Sequence, residues 1–421
     1  MRVITPLLSP TALLRSDSPS VLFINRVYPP AGGATGALLS ELASDLAADG
    51  WRVGVLTGPA PEAPSFEVSD AGVRVHRVRS LPFSRDSFVQ RLGAYLSLYP
   101  MLFARAIRLT DYDIVVTKTD PPMQMVLGPL VGAWTGAAPI HWAQDLYPEI
   151  AEALEVIEEE GWLARVLRRL STGALHRHER VLAVGRCMKA RLTARGLPSE
   201  KIVVSPNWPP DAVTPVPHTK NAFRAEHGLD GKLVVMYSGN MGLAHTFAPI
   251  LDAAERLHGE PDVVFVFVGD GPRRSDVEAA ARKRGLSNVR FLPFQPMDRL
   301  AESLSAGDLH LVSTRAGTEG LVVPSKIYGV LAAGRPALFL GSPASEAARV
   351  LCEHDCGTVL PQPTGEAVAA AVRAWRSDPA RRDRAGERAA AAVTDARVQA
   401  KARFREVMRA VWAPHSSVGV P

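Results

Sequence analysis

Short apolar runs alternate with longer segments whose apolar residues recur at helical spacing. In the first half, runs at 21–26, 52–57, 73–78, 113–117, 139–143, 180–184 and 202–204 predict strands, with helices at 34–49, 87–109, 121–136, 160–177 and 186–195. Strands alternating with helices build a parallel sheet covered on both faces. The pattern then breaks at Ser205-Pro-Asn-Trp-Pro-Pro-Asp and Thr214-Pro-Val-Pro. Proline lacks an N–H and stops both element types, so this stretch reads as a linker. Beyond it the alternation restarts, with strands at 233–237, 263–268, 289–292, 308–312, 337–340 and 357–360 and helices at 246–258, 273–284, 298–305, 324–333, 344–352 and 365–376.

The halves open alike. Val21-Leu-Phe-Ile-Asn leads to Gly32-Gly33 and a helix; Val234-Val-Met-Tyr leads to Gly239-Asn-Met-Gly242 and a helix. The expected fold is α/β: two Rossmann-like domains facing across a cleft, since ligands bind beyond the carboxyl ends of such strands. The expected boundaries are a loose extension at 1–18, a first domain at 19–208, a linker at 209–228, a second domain at 229–394 and a tail at 395–421. In the tail, Val398, Ala402, Phe404, Val407, Met408 and Val411 share one helical face, which must pack on something, and the tail is expected to cross back onto the first domain.

Composition adds little. Of 421 residues 47% are hydrophobic and 22% charged, as in an ordinary globular protein. Three cysteines, Cys187, Cys352 and Cys356, form no disulfide framework and suit a reducing cytosol. Cys352-Glu-His354-Asp-Cys356 lacks a clear fourth ligand, and no metal is expected. The net charge of +5 is mild: it permits an anionic ligand or membrane surface and gives no sign of nucleic-acid binding. Met1 to Ser20, broken by prolines, has no signal-peptide core, and no apolar run reaches the ~18 residues of a membrane span. A cytoplasmic location is expected.

Candidate chemistry sits at strand ends. A strand running through Gly239-Asn240-Met241-Gly242 into a helix would aim free N–H groups and a helix dipole at a diphosphate. Gly269-Asp270-Gly271 ends another strand. In Arg315-Ala-Gly-Thr-Glu319-Gly-Leu-Val-Val323-Pro-Ser325-Lys326, Glu319 can accept bonds from sugar hydroxyls. Lys326 at a helix start opposes the dipole, which calls for an anionic partner. In the first domain, the Gly32-Gly33 turn and Gln144-Asp145 lie at the cleft edge. An NAD site is disfavoured, because the first turn is not G-x-G-x-x-G and 52–57 ends without the ribose-binding acid. Asp111-Tyr-Asp113 precedes its strand, at the edge away from the cleft, and reads as strand-entry polarity rather than a metal motif.

Together Tyr237-Ser-Gly-Asn-Met-Gly242, Phe267-Val-Gly-Asp-Gly271, Val323-Pro-Ser-Lys326 and Leu331-Ala-Ala-Gly-Arg-Pro336 make the chain similar to the GT-B-fold glycosyltransferases of family 4, the group 1 transferases. It resembles most the subgroup building bacterial surface polysaccharides, that of WbuB. The resemblance covers roughly 20–390. It implies an NDP-sugar donor, a UDP-sugar, on the second domain, and a glycan or polyprenyl-diphosphate acceptor on the first. It also implies transfer with retention, without metal, cofactor or classical protein base. The implied catalytic set is Lys326, Glu319 and Asp145. Gly239, Asn240, Gly242, Gly269, Arg315, Val323, Ser325 and Lys326 would hold the donor, and Gly32, Gly33 and Gln144 the acceptor side. The family's Arg and Lys after the second domain's first strand are here Asn240 and His245, and its second glutamate falls on Gly329. Competing readings are a sugar-nucleotide epimerase or hydrolase and a degenerate binding protein. Basic, apolar helices at 88–109 and 162–175 suit peripheral contact with an anionic membrane.

Overall fold

The computed structural model describes residues 18–83 and 88–416. The expected extension at 1–18 lies outside them, apart from Ser18. Eight strands form the first sheet: β1 (Ser20–Ile24), β2 (Arg52–Thr57), β3 (Phe66–Val68), β4 (Arg74–Arg77), β5 (Ile114–Thr117), β6 (Ala138–Ala143), β7 (Arg180–Ala183) and β8 (Ile202–Val204). Their order is β3-β4-β2-β1-β5-β6-β7-β8, parallel except for the edge strand β3. Six more, β9 (Leu233–Ser238), β10 (Val263–Val268), β11 (Val289–Leu292), β12 (Leu309–Ser313), β13 (Ala337–Leu340) and β14 (Gly357–Leu360), form a second sheet ordered β11-β10-β9-β12-β13-β14. Central strands such as β10, Val-Val-Phe-Val-Phe-Val, are buried throughout because helices cover both faces.

In each sheet the winding direction reverses beside the first strand, between β1 and β5 and between β9 and β12. Open α/β sheets bind ligands at such reversals. β9 and β10 stay in register over six residue pairs, whereas β9 and β12 pair only at Leu309↔Val235 and His310↔Met236. Beyond Met236 those two strands diverge and leave a crevice at their carboxyl ends.

The structure departs from the sequence expectation in several places. Pro121 and Pro122 delay the helix expected at 121–136: a left-handed Met123 leads through a 3-10 turn into Leu127–Thr135. Strand β3 was not expected because it is three residues long and mostly exposed. The alanine-rich helix Pro379–Thr394 is a further element that the apolar pattern does not predict. Its start is marked by Pro379 and by Asp378, whose side chain accepts from the Arg381 N–H.

The last helix, Ala396–Ser416, lies on the first domain. Phe404 meets the Trp142 ring edge-on, centroids 4.5 Å apart, and Trp142 stacks on Trp208. Lys401 pairs with Glu41 at 2.6 Å and Asp45 at 2.7 Å on the helix Ala34–Ala48. The chain therefore leaves the first domain after Trp208, builds the second, and returns.

Candidate active site

At the end of β9 the chain turns at Gly239, with φ of +120°. Gly269, at the end of β10, packs so close that a Cβ there would stand 2.3 Å from the Gly239 carbonyl oxygen. Only glycine permits that approach, so Gly269 shapes the crevice by packing. The expectation of a bare amide cradle needs correction. Gly239 N–H donates to the Val268 oxygen at 2.9 Å and Met241 N–H to the Asp270 oxygen at 2.7 Å. The following helix begins only at Ala248, so no helix dipole points at this turn. The amides of Asn240 and Gly242 have no protein partner among the described residues.

Lys326 begins the helix Lys326–Ala332, after Ser325, and its side chain lies over the Gly239 turn. The ammonium donates to the Tyr237 hydroxyl and, at 3.4 Å, to the Asn240 carbonyl, and stands 3.7 Å from the Tyr237 ring centroid. No carboxylate pairs with it among the described residues. Desolvation holds its pKa well below the ordinary lysine value. A cation so placed is stabilised by any anion that enters the crevice. Across β9, His245 donates through Nδ1 to the carbonyl oxygen of Ser313, the last residue of β12.

The segment 315–323 reaches out of the second domain. Leu321 and Val323 are buried in the first domain's hydrophobic core. Leu146 N–H donates to the Leu321 oxygen at 2.8 Å, and Asp145 bridges Val322 in antiparallel fashion. Val323 thus contributes a first-domain contact rather than a side chain to the crevice. Arg191 holds the Glu319 carbonyl at 3.1 Å and its carboxylate at 3.5 Å. Arg315 pairs across the rim with Glu155 at 2.9 Å. At Gly320, with φ of +76°, a Cβ would stand 2.7 Å from Arg191 Cγ and 2.8 Å from the Cys187 oxygen.

On the first domain, Asp145 follows β6 and no protein group bonds its carboxylate among the described residues. Desolvation first, and then the charge of Asp120, raises its pKa to about 7. Asp120 is itself held by both arms of Arg26, at 2.7 and 2.8 Å. Gln144 is buried in a reciprocal amide pair with Asn207, at 3.1 and 2.8 Å, which ties β6 to the start of the linker. That pairing makes Gln144 a strut instead of an acceptor contact. Gly32 and Gly33 are exposed beside the cleft.

A second cross-domain contact was not foreseen. Glu346, 4% exposed, accepts from the Arg186 backbone N–H at 2.6 Å and its guanidinium at 2.9 Å. Arg186 also grips Glu353 at 2.6 Å. Lys118, fully buried, donates to the Thr35 carbonyl at 2.8 Å and stands 3.7 Å over Trp142. Neither belongs to a local sequence pattern, since the partners are far apart in the chain. Asp111 pairs with Arg74, and Asp113 bonds Ser20, both at the edge away from the crevice as expected. Cys352 is exposed and Cys356 buried.

Two facing Rossmann-like domains, with a crevice where strand order reverses and a lone lysine in it, define a GT-B transferase. Models of known families agree. The "Glycosyl transferase 4-like domain" matches residues 32–208 and "Glycosyl transferases group 1" matches 219–392. The chain belongs to the group 1 glycosyltransferases and is an enzyme of that class. It is similar to a protein of Escherichia coli (strain K12) named as the colanic acid biosynthesis glycosyl transferase WcaI, 28% identical over 372 residues, or 82% of this chain and 89% of that protein. Among solved structures it is similar to Anabaena HepE in complex with UDP, with a TM-score of 0.70, 16% identity, and 93% of this chain and 100% of that one covered. Sucrose-phosphate synthase from Thermosynechococcus elongatus superposes with a TM-score of 0.72 at 17% identity, covering 94% and 100%.

Proposed function

We propose that the protein is a retaining, metal-independent glycosyltransferase of the WbuB-like surface-polysaccharide subgroup. It moves a sugar from a UDP-sugar to a glycan or polyprenyl-diphosphate-linked acceptor. The observation that carries this reading is Lys326: a cation without a carboxylate, at the reversal of the second sheet, beside the unpartnered Asn240 and Gly242 amides. A diphosphate placed there gains a charge-assisted hydrogen bond. UDP fits because HepE, similar in fold, was solved with UDP, and a polysaccharide role fits because WcaI is named for colanic acid biosynthesis.

The chemistry follows from the positions. The bond between the anomeric carbon and the diphosphate oxygen breaks, and the electron pair leaves with the phosphate. Lys326 stabilises the charge that develops there, and this interaction is stronger in the transition state than in the ground state. The acceptor hydroxyl attacks on the same face and its proton passes to the departing phosphate. Asp145, whose backbone bridges Val322 of the second domain's loop, orients that hydroxyl. Glu319 holds sugar hydroxyls from the loop that joins the two domains. The main contribution of the fold is to bring donor and acceptor together.

The outer face of the first domain supplies a membrane-facing surface for a lipid-linked acceptor. Leu92 and Leu96 on the helix Phe88–Ala106, Trp134 on Leu127–Thr135, and Trp162 and Val166 on Trp162–His176 are all exposed; the middle helix packs on the first, and the 3-10 turn Gln124–Val126 that leads into it packs on the third. Among the described residues no helix is long and apolar enough to cross a membrane. The test of the function is to incubate the purified protein with NDP-sugars, with and without a lipid and glycan extract, in EDTA. Release of nucleoside diphosphate only with acceptor supports transfer. Release without acceptor would mean a hydrolase or epimerase, and no release a binding protein.

A further inference from the structure

His245 lies on the connection after β9, between the last residue of β12 and the Lys326 ammonium, and no role has yet been given to its ring. This inference rests on the transferase reading above. The backbone oxygen of Ser313 can only accept, so Nδ1, which it engages, carries the ring proton. Nε2 is then left with a lone pair and no hydrogen. It has no protein partner among the described residues, and His245 is partly exposed in the crevice. The groups facing the ring are the Tyr237 and Phe247 rings, centroids 6.0 and 6.5 Å away, and the ammonium of Lys326. None is a carboxylate that would favour a protonated imidazole. Burial and the Lys326 charge act together against that form and bring its pKa to about 3.

A lone pair repels phosphate oxygens and seeks a donor. The donors that a nucleotide sugar brings to this crevice are its hydroxyls. We infer that His245 is a specificity residue that accepts, through Nε2, a hydrogen bond from a sugar hydroxyl of the donor nucleotide. It does not share the diphosphate with Lys326. The two side chains divide the donor: the cation takes the anionic part and the neutral ring takes a hydroxyl. The hydroxyl belongs either to the ribose or to the transferred sugar, which share this chemistry.

The experiment is calorimetric titration of His245→Leu, His245→Gln and His245→Lys with UDP, with an intact UDP-sugar, and with donors deoxygenated singly on the ribose or on the transferred sugar. His245→Leu is expected to weaken the intact donor about 3- to 10-fold, the range of one neutral hydrogen bond. It should cost nothing further on the one deoxy donor that lacks the contacted hydroxyl, and that donor identifies which sugar is bound. His245→Gln, which keeps an acceptor, restores part of the affinity, and thermal melting checks that each variant is folded. Tighter UDP binding by His245→Lys, or full additivity of His245→Leu with every deoxy donor, would overturn the inference while leaving the transferase standing. A wild-type protein that binds no nucleoside diphosphate would overturn both.

Discussion

Replacing Lys326 with methionine separates its structural role from its functional one, because the two move in opposite directions. Methionine keeps most of the length and apolar surface of the stem and removes the charge. In the ligand-free protein the ammonium is desolvated, with a hydroxyl, a carbonyl and a ring as partners but no carboxylate. Its pKa is lowered by folding, so the unfolded chain binds its proton more readily. Stability contributed by this group therefore rises with pH toward the ordinary lysine value, and the penalty is greatest at low pH. Lys326→Met removes that penalty. The melting temperature of the free protein should hold or rise, with the larger gain at the lower pH. Nucleoside diphosphate binding should do the reverse: a charge-assisted hydrogen bond is worth about 1.5–3 kcal/mol, or ~10- to 100-fold in affinity and turnover. Scanning calorimetry at two pH values, with and without UDP, reads both effects. A variant that loses stability yet binds UDP as before would refute the reasoning.

Other positions give independent checks. Gly320→Ala puts a Cβ against the Cys187 backbone and strains a left-handed residue by about 1–2 kcal/mol; it should hold the domains apart, which X-ray scattering would show as a larger radius of gyration, with turnover reduced. With its folded pKa of about 7 raised above the unfolded value, Asp145 lowers stability as pH rises from ~4 to about 7, and Asp145→Asn should flatten that slope in pH-dependent melts. Arg186→Ala leaves the buried Glu346 carboxylate short of a partner and should cost about 1–3 kcal/mol in chemical denaturation. Sedimentation with anionic vesicles at low salt should carry the protein down, and Trp134→Ser with Trp162→Ser should return it to the supernatant.

The two-domain fold was legible because strand burial is written in short local runs: Val263–Val268 is apolar at every position and could only be a covered strand. Lys326 stands out in the sequence for a related reason, a charge at odds with the helix it begins. What local pattern could not show was where polar groups go once the chain is folded. The Gly239 and Met241 amides are taken by the carbonyls of Val268 and Asp270, and Gln144 by Asn207, 63 residues away. Leu321 and Val323 look like an ordinary loop in sequence but plug the other domain's core. The Arg186–Glu346 contact spans 160 residues and leaves no trace at either site alone, although the glycine before Arg186 fits it: a Cβ there would crowd the Glu346 side chain at 3.0–3.1 Å.

Donor binding in the crevice is read by calorimetric titration of the wild-type protein with UDP, GDP, ADP and NAD in EDTA, repeated with magnesium. Saturable, selective binding of one nucleoside diphosphate, UDP, is expected without metal and at one site per chain, abolished or strongly weakened by Lys326→Met. Binding of NAD alone, or no nucleoside diphosphate bound with or without metal, would contradict it.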